Sequence, residues 1–345
     1  MTVLSYGFPY KEAPKTYIRK LTLAPSVEAF QLLRKGDSIT LTWELSEIDA
    51  ADFSECVQRT WEYCYDTNRP QPVNTPYTVD RMKDVLSNFF VESYVNTTPT
   101  HYYSGVELKT ATCDNTDVAE VGFVGRTLLN AFNALEYGSQ QNRPELVNSA
   151  NSIFDTYLTN GFSPAGFFNE VVHYNRDFKE PNLSIRRQSE GVYAILNYLD
   201  YEKQHKRKHP EWEKRLKVIL DSFLRLQNAD GSFPRKFKDD FSIVDGTGGS
   251  TPSATLPLVM AYKYFKDKRY LESAKRTVNY LENELISKSD YFSSTLDANC
   301  EDKEASLYAA TATYYLALVT KGAERSHYAG LCKKAAYFAL SWYYT

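Results

Sequence analysis

Apolar residues recur at helical spacing along most of the chain. In residues 51–66, ADFSECVQRTWEYCYD, the side chains of Phe53, Val57, Trp61 and Cys64 fall on one face of a helix. The same periodicity predicts ten helices, at residues 51–66, 79–94, 118–138, 144–160, 187–204, 210–228, 252–267, 270–286, 303–320 and 326–344. The chain is therefore predicted to be mostly α-helical.

Residues 1–48 have a different pattern. TYIRKLTL (16–23) and SITLTWEL (38–45) are rich in β-branched residues and are joined through a Gly-Asp turn signal at 36–37. A segment of this length is too small to bury a core of its own. We therefore expect a short β-rich lead-in over residues 1–48 that lies against a main domain of residues 49–345.

The predicted connections alternate in length. Long connections cover residues 160–186, 229–251 and 287–302, whereas links of a few residues follow the third, fifth, seventh and ninth helices. When antiparallel hairpins form a ring, alternate connections lie on opposite faces, so the long ones are expected to meet on one face. Loops of this length in a compact domain are usually functional.

The helices that follow long connections are the more apolar ones. VYAILNYL (192–199) and AATATYYLALV (309–319) have few charges, whereas PEWEKRLKVILDSF (210–223) and YLESAKRTVNYLENEL (270–285) are charged along one face. Apolar helices belong inside a protein and amphipathic helices outside. The pattern predicts an all-α fold, an (α/α) toroid of antiparallel hairpins, with five hairpins recognisable where a complete toroid has six.

The composition limits the classes of partner. The formal net charge is −3, and the only basic block is Lys206-Arg207-Lys208, which argues against nucleic acid. No apolar run reaches the roughly 20 residues that span a bilayer, so no membrane segment is expected. The first residues lack a signal-peptide pattern, which leaves a cytoplasmic protein, or a secreted or periplasmic one whose signal peptide has been removed. The oligomeric state stays open.

The cysteines and acidic residues give no metal signal. The five cysteines are scattered without a CxxC pair or zinc spacing, and we interpret them as reduced and mostly buried. Neither a metal nor a cofactor is expected. The 27 Tyr, 19 Phe and 4 Trp residues pack cores in most proteins, but aromatic rings with polar edges are also what a sugar ring stacks against.

The segment LRLQNADGSFP (224–234) resembles the turn at which an outer helix ends in the six-hairpin glycosidase superfamily. Its pattern of Gln, Asp-Gly-Ser and an aromatic is matched by Gln227, Asp230, Gly231, Ser232 and Phe233. The resemblance covers roughly residues 50–345. It implies an (α/α)6 toroid and an activity on carbohydrates, as in glycoside hydrolases and some polysaccharide lyases of this fold.

Two clusters at the starts of predicted inner helices contain candidate acids. RRQSEG (186–191) resembles the R-G-Q-x-W-G signature of unsaturated glucuronyl hydrolases, with Arg186 and Gln188 matched but Glu190 where the signature has Trp. Glu190 is either an acid facing the lumen or one half of a structural ion pair. DANCEDKEAS (297–306) contains Asp297, Asp302 and Glu304 among its carboxylates, of which some are expected to stabilise the helix N-terminus.

Two further clusters lie in long connections. NEVVHYNRD (169–177) combines His173, Tyr174 and Arg176, a set that a polysaccharide lyase would use. SFPRKFKDDF (232–241) alternates aromatic rings with charges, and we interpret it as an exposed lip where rings stack on a substrate. The segment TDVAEVG (116–122), at the start of the third predicted helix, is interpreted as a helix cap.

Glycoside hydrolysis requires two carboxyl groups that flank the scissile bond, and an inverting enzyme separates them by about 6.5–9.5 Å to admit water. We expect one acid from Asp239, Asp240 or Glu190, and the other from Asp302 or Glu304. The residues expected to bind the oligosaccharide or polysaccharide substrate are Arg186, Gln188, His173, Tyr174, Arg176, Phe233, Phe237, Asp239 and Asp297. The leading hypothesis is an inverting glycoside hydrolase; a polysaccharide lyase and a non-catalytic glycan-binding toroid remain the alternatives.

Overall fold

The computed structural model describes residues 32–40, 42, 45, 47–103, 118–123, 126–173, 180–292 and 303–342, together with short strands between residues 11 and 28 and between residues 106 and 113. Within these ranges the protein is built from ten α-helices and thirteen short strands. The predicted all-α architecture with a β-rich beginning is therefore confirmed.

The helices are close to the predicted ones. They are α1 (Phe53–Asn68), α2 (Val79–Glu92), α3 (Thr127–Gln140), α4 (Pro144–Asn160), α5 (Ile185–Gln204), α6 (Pro210–Leu226), α7 (Pro252–Phe265), α8 (Lys268–Leu281), α9 (Lys303–Val319) and α10 (Gly322–Leu340). A π-helical turn, Glu282–Ile286, continues α8.

The strands are all short. They are β1 (Lys11–Glu12), β2 (Tyr17–Arg19), β3 (Thr22–Leu23), β4 (Val27–Glu28), β5 (Tyr94–Val95), β6 (His101–Tyr102), β7 (Val106–Glu107), β8 (Thr112–Cys113), β9 (Val118–Glu120), β10 (Val171–His173), β11 (Leu183–Ser184), β12 (Lys236–Phe237) and β13 (Ile243–Asp245). Each described pairing is antiparallel.

The structure corrects two predicted boundaries. The third helix was predicted over residues 118–138, but it begins at Thr127, because residues 118–120 form strand β9 and pair with β10 in the following long connection. The described residues of the predicted strand 38–45 are not in a strand. Residues 32–40 are exposed, so they have no buried face against which a strand would pack.

The helices form two layers. Helices α3, α5, α7 and α9 pack side by side in chain order, and α4, α6, α8 and α10 lie outside them, each against its hairpin partner. Helix α1 packs against α10 of the last hairpin, and α2 packs against α3 and α4, which form the first hairpin of the two layers. This arrangement is the predicted (α/α) toroid.

The burial pattern follows from the two layers. The outer helix α6 buries one stripe, Trp212, Leu216, Ile219, Leu220 and Phe223, at the spacing of a single helix face. The inner helix α5 buries residues on nearly all sides in its first half, including Arg186, Gln188 and Glu190. The start of α5 thus carries charged and amide side chains into the core.

Two of the long connections meet on one face. Strand β11 of the 160–186 connection pairs with β12 of the 229–251 connection. The Asp239 carboxylate accepts hydrogen bonds from the Ser163 hydroxyl and, at 3.1 Å, from the Ala165 N–H. Most of the third connection, residues 293–302, lies outside the described residues. The prediction of a shared loop face is confirmed for the first two connections.

Gly191 in α5 allows the first long connection, residues 160–186, to approach the inner helix. A Cβ at this position would lie 2.7 Å from the Phe168 ring and 2.8 Å from the Val121 side chain. Both neighbours are fully or almost fully buried, so neither has space to move away. The loop face therefore depends on a residue without a side chain at this position.

We expect Gly191→Ala to lower the free energy of unfolding by about 1–3 kcal/mol, because the added methyl overpacks the core. Gly330→Ala in α10 is the matched control, since its added Cβ meets no atom within 4 Å and alanine favours the helix. Urea denaturation of both variants measures the difference. Equal stability of Gly191→Ala and the wild type would contradict the close approach.

Candidate active site

A cavity of about 190 Å³ lies where the four inner helices begin. Helix α3 contributes Arg126 at its N-cap and Leu129, and α5 contributes Ser189, Glu190 and Tyr193. Helix α7 contributes Ser253, Leu256 and Pro257, and α9 contributes Tyr308 and Thr311. Residues far apart in the sequence therefore line one pocket on the face where the long connections meet.

The Glu190 carboxylate is the central group of this pocket. The Phe123 N–H donates a hydrogen bond to Oε2 at 2.6 Å, and the Tyr308 hydroxyl donates one to Oε1 at 2.8 Å. Gly122 makes the first bond possible, because a Cβ there would collide with Oε2. Glu190 is only 9% exposed, so its carboxylate is fixed in position while it faces the cavity.

Two guanidinium groups balance the charge of Glu190. Arg126 Nη2 lies 3.5 Å from Oε1, and Arg186 Nε lies 3.4 Å from the same oxygen. Arg186 also forms an ion pair through Nη2 with Glu304 Oε2 at 2.8 Å. Two carboxylates from different inner helices are thus bound to one guanidinium, which is 1% exposed.

Arg186 is held in place by aromatic rings as well as by charges. Its guanidinium carbon lies 5.6 Å from the ring centroids of both Phe123 and Tyr308, within the range of cation–π attraction. Burial and the negative charge of Glu190 raise the pKa of Tyr308. The phenol therefore stays protonated and serves as a hydrogen-bond donor to Glu190.

Several polar groups at the cavity have no protein partner among the described residues. They include Ser189 Oγ, on a side chain that is 1% exposed, and Arg126 Nε. Pro257 has no N–H, so the Ser253 carbonyl lacks the donor that a helix normally supplies four residues later. Convergent polar groups between apolar side chains such as Leu129 and Leu256 are typical of a small-molecule site.

A second buried carboxylate, Glu170, lies behind Glu190. It accepts hydrogen bonds from the Ser184 N–H and from Gln188 Nε2, and Arg187 Nη1 lies 3.9 Å away. Burial raises the pKa of Glu170 to about 7, and the charge of Glu190 adds to this effect. Through its hydrogen bonds to Ser184 and Gln188, Glu170 stabilises the start of α5, and it does not line the cavity.

The predicted residues divide into three groups. Arg186 brings Glu190 and Glu304 together, and Glu190 is the one of these three residues that lines the cavity. Gln188 is fully buried and bonds to the backbone of Phe168, so it holds the loop that precedes α5. The expected exposed lip is wrong for Phe233 and Phe237, which are fully buried and pack against Phe223 and Phe167.

The remaining acids of the lip point elsewhere. Asp239 lines a separate pocket with residues of the 160–186 connection. Asp240 is exposed and accepts hydrogen bonds from the Ser242 N–H and hydroxyl within a turn, which lowers its pKa. Neither residue lines the cavity at Glu190.

His173 lies in strand β10, which pairs with β9 beside the start of α3. Tyr174, Arg176, Asp297 and Asp302 lie outside the described residues, so their predicted roles stay predictions.

Among the part of the chain that the structure describes, no group of three or more His, Cys, Asp or Glu side chains could hold a metal ion. No helix in those same ranges is both long and apolar enough to cross a bilayer.

Three functional candidates were not predicted from the sequence. Tyr308 follows Glu304 by four residues, which places both on one face of α9. Arg126 stands directly before an apolar helix, as Arg186 does. Ser189 carries no recognisable signal, because a serine near the start of a helix most often serves as a cap, a role that Ser184 has in α5.

The comparisons with known proteins support the fold. No protein-family model matches the sequence, and no curated protein matches it. The chain is similar to the structure of cellobiose 2-epimerase from Bacillus thermoamylovorans, with 13% identity over 71% of this chain and 66% of that one, at a TM-score of 0.57. It is similar to a D-mannose isomerase, with 12% identity over 78% and 72% of the two chains, at a TM-score of 0.56.

A third similar structure is a possible member of the GH105 family from Salmonella enterica, with 14% identity over 82% and 70% of the two chains, at a TM-score of 0.53. These likenesses confirm that the chain has the predicted (α/α) toroid fold. The chain spans 66% of the length of the cellobiose 2-epimerase, which is less than two thirds.

The raised pKa of Glu170 predicts a pH-dependent stability. Its folded pKa of about 7 exceeds the ordinary value of 4.5. Between these values the folded protein keeps a proton that the unfolded chain has lost. The free energy of unfolding is therefore expected to fall as the pH rises from about 4.5 to about 7, by an amount of the order of 1–3 kcal/mol.

Glu170→Gln should flatten this part of the pH profile, because glutamine accepts the same hydrogen bonds without titrating. Glu211→Gln, on the exposed first turn of α6, is the control and should keep the wild-type slope. Urea denaturation at several pH values measures the slopes. Identical slopes in Glu170→Gln and the wild type would show that Glu170 does not cause the dependence.

Proposed function

We propose that this protein is a glycoside hydrolase that cleaves an oligosaccharide or polysaccharide by inversion at the mouth of the toroid. The observation that carries the proposal is the Glu190 carboxylate, which is buried in the cavity wall and linked through Arg186 to Glu304 on a second inner helix. A pair of carboxyl groups from different elements is what glycoside hydrolysis requires.

The acid–base groups at the cavity favour carboxylate chemistry. All five histidines of the chain lie in the described residues, and none of them lines the cavity. The titratable side chains that do line it are Arg126, Glu190, Tyr193 and Tyr308. A reaction in which histidine moves the proton is therefore poorly supported, whereas hydrolysis by two carboxyl groups needs no histidine.

We propose Glu190 as the base. Its carboxylate accepts hydrogen bonds from the Phe123 N–H and the Tyr308 hydroxyl, and it lies beside two guanidinium groups while it lines the cavity. In an inverting reaction, such a carboxylate takes a proton from the water whose oxygen attacks the anomeric carbon. The bond from that carbon to the glycosidic oxygen then breaks.

The start of α9 supplies the proposed proton donor. Glu304 lies there with its side chain 43% exposed, and Asp302 precedes it outside the described residues. One of the two carboxyl groups protonates the glycosidic oxygen as it leaves. Ser189, Arg126 and Ser253 line the same cavity and offer hydrogen-bonding groups for sugar hydroxyls.

The similar structures support a carbohydrate substrate. Their names describe an epimerase acting on cellobiose, an isomerase acting on mannose and a possible glycoside hydrolase family member. The shared fold therefore accommodates sugars in several reactions. The site of this chain, with its carboxylates and without a lining histidine, favours hydrolysis among these reactions.

Glu190→Gln is expected to lower the rate of hydrolysis about 10²–10⁴-fold, because the amide cannot take a proton from water. The proton donor is either Glu304 or Asp302, so one of the variants Glu304→Gln and Asp302→Asn should lower the rate of hydrolysis by a similar factor. Glu211→Gln, remote from the cavity on the outer helix α6, should leave it unchanged. Release of reducing ends from a panel of neutral and acidic oligosaccharides measures these rates.

Wild-type hydrolysis by Glu190→Gln would overturn this assignment. Ultraviolet absorbance from a new carbon–carbon double bond in the product would instead identify a lyase. Binding of oligosaccharides without any product would identify a non-catalytic glycan-binding protein, and a product of unchanged mass would identify an isomerase or epimerase.

The stereochemistry provides a separate test. Inversion predicts that the first product observed by NMR has the anomeric configuration opposite to that of the cleaved bond, before mutarotation mixes the two forms. A first product with the original configuration would indicate a retaining mechanism. In that case a covalent glycosyl intermediate on one of the two carboxylates replaces the direct attack of water.

A further inference from the structure

A second cavity lies at the opposite ends of the inner helices α5 and α7. Its volume is about 310 Å³, which is larger than that of the cavity at Glu190. Lys203 of α5 lines it, and this residue lies about 20 Å along the helix from Glu190 at a rise of 1.5 Å per residue. The second cavity is therefore separate from the proposed active site.

Three ammonium groups surround this cavity. Lys203 lies in the last turn of α5, Lys263 in the last turn of α7, and Lys266 directly after α7, whereas Asp200 is the only acidic residue in the lining. Within the described ranges, none of the three lysines forms an ion pair. Three unneutralised cations around one concave space repel each other, and a bound anion would relieve that repulsion.

The wall between the lysines is ordered. The Tyr264 hydroxyl donates a hydrogen bond to Glu213 Oε1 at 2.7 Å, which fixes the ring at the edge of the cavity. The Lys203 ammonium lies 4.8 Å from the centroid of this ring. The cation–π contact therefore holds one cation at the edge of the cavity without neutralising it.

The surrounding sequence is unusually basic for an acidic chain. Residues 200–208 and 263–269 contain eight Lys or Arg residues and three Asp or Glu residues, while the whole chain has a net charge of −3. The two arginines are already paired, Arg207 with Glu202 and Arg269 with Asp267 and Asp221. The lysines, including those of the Lys206-Arg207-Lys208 block, supply the free positive charge.

We propose that this pocket binds a small anionic molecule, with a phosphate, sulfate or carboxylate group held by Lys203, Lys263 and Lys266. Lysine binds such groups as a point charge. A helix dipole favours a cation in the last turn of a helix, which accounts for Lys203 in α5 and Lys263 in α7. It does not account for Lys266, which lies beyond the end of α7 in a left-handed backbone conformation. The cavity volume is within the range of small-molecule sites.

The geometry favours a small anion over a polyanion. An extended acidic polymer requires cations spread along a face or groove of several repeat lengths. Here the three unpaired cations converge on one cavity whose walls include the apolar side chains of Leu196 and Met260. A small molecule with one anionic group and an apolar part fits such a lining.

The test is a titration of the full chain with inorganic phosphate, pyrophosphate and citrate at constant ionic strength, followed by calorimetry. We expect at least one of these probes to bind the wild type. Lys203→Gln and Lys263→Gln should each weaken that binding about tenfold, since a charge-assisted contact contributes about 1.4 kcal/mol or more. The double variant should weaken it about a hundredfold. Lys263→Arg, which keeps the charge, should bind more tightly than Lys263→Gln.

Lys321→Gln is the matched control, because Lys321 is an exposed lysine in the short link between α9 and α10. It should bind the probes like the wild type. Equal weakening by Lys321→Gln would show non-specific attraction and overturn the proposal. Lack of binding of all three probes to the wild type would overturn it as well, and so would tight binding of heparin that the double variant retains.

Discussion

The buried guanidinium of Arg186 is the interaction on which the rest of this structure depends. It joins Glu190 of its own helix to Glu304 of another inner helix, and two aromatic rings lie against it. A buried charge is costly unless it is paired and hydrogen-bonded, so Arg186 holds the starts of α5 and α9 together. The same contacts orient the carboxylate that faces the cavity.

Charge is sorted along the axis of the inner helices. The carboxylates Glu190 and Glu304 lie where inner helices begin, and Lys203 and Lys263 lie where they end. This distribution matches the helix dipole, which favours anions at N-termini and cations at C-termini. At the N-terminal end guanidinium groups pair with the acids, whereas at the other end the three lysines form no ion pair in the part of the chain that the structure describes. The two ends therefore suit ligands of different charge.

Much of the architecture was predictable from the sequence, because periodic burial leaves a local signal. The ten helices, the apolar inner set and the shared face of two long connections all follow from spacing and connection length. The site was predicted less well. Glu190 and Glu304 carried the signal of acids at inner-helix starts, but Phe233 and Phe237 suggested an exposed lip and are buried. An alternation of aromatic and charged residues does not distinguish an exposed loop from one whose aromatic rings pack into the core.

By itself, the sequence determined the helical toroid, the faces of its helices and the set of acids near the inner-helix starts. These properties depend on residues close together in the chain. Only the tertiary structure decided which acids share a pocket, that Tyr308 and the Phe123 N–H bind Glu190, and that three lysines meet at the far end. Such groupings depend on packing between helices 60 or more residues apart, as in the 118-residue separation of Glu190 and Tyr308. No local pattern encodes that distance.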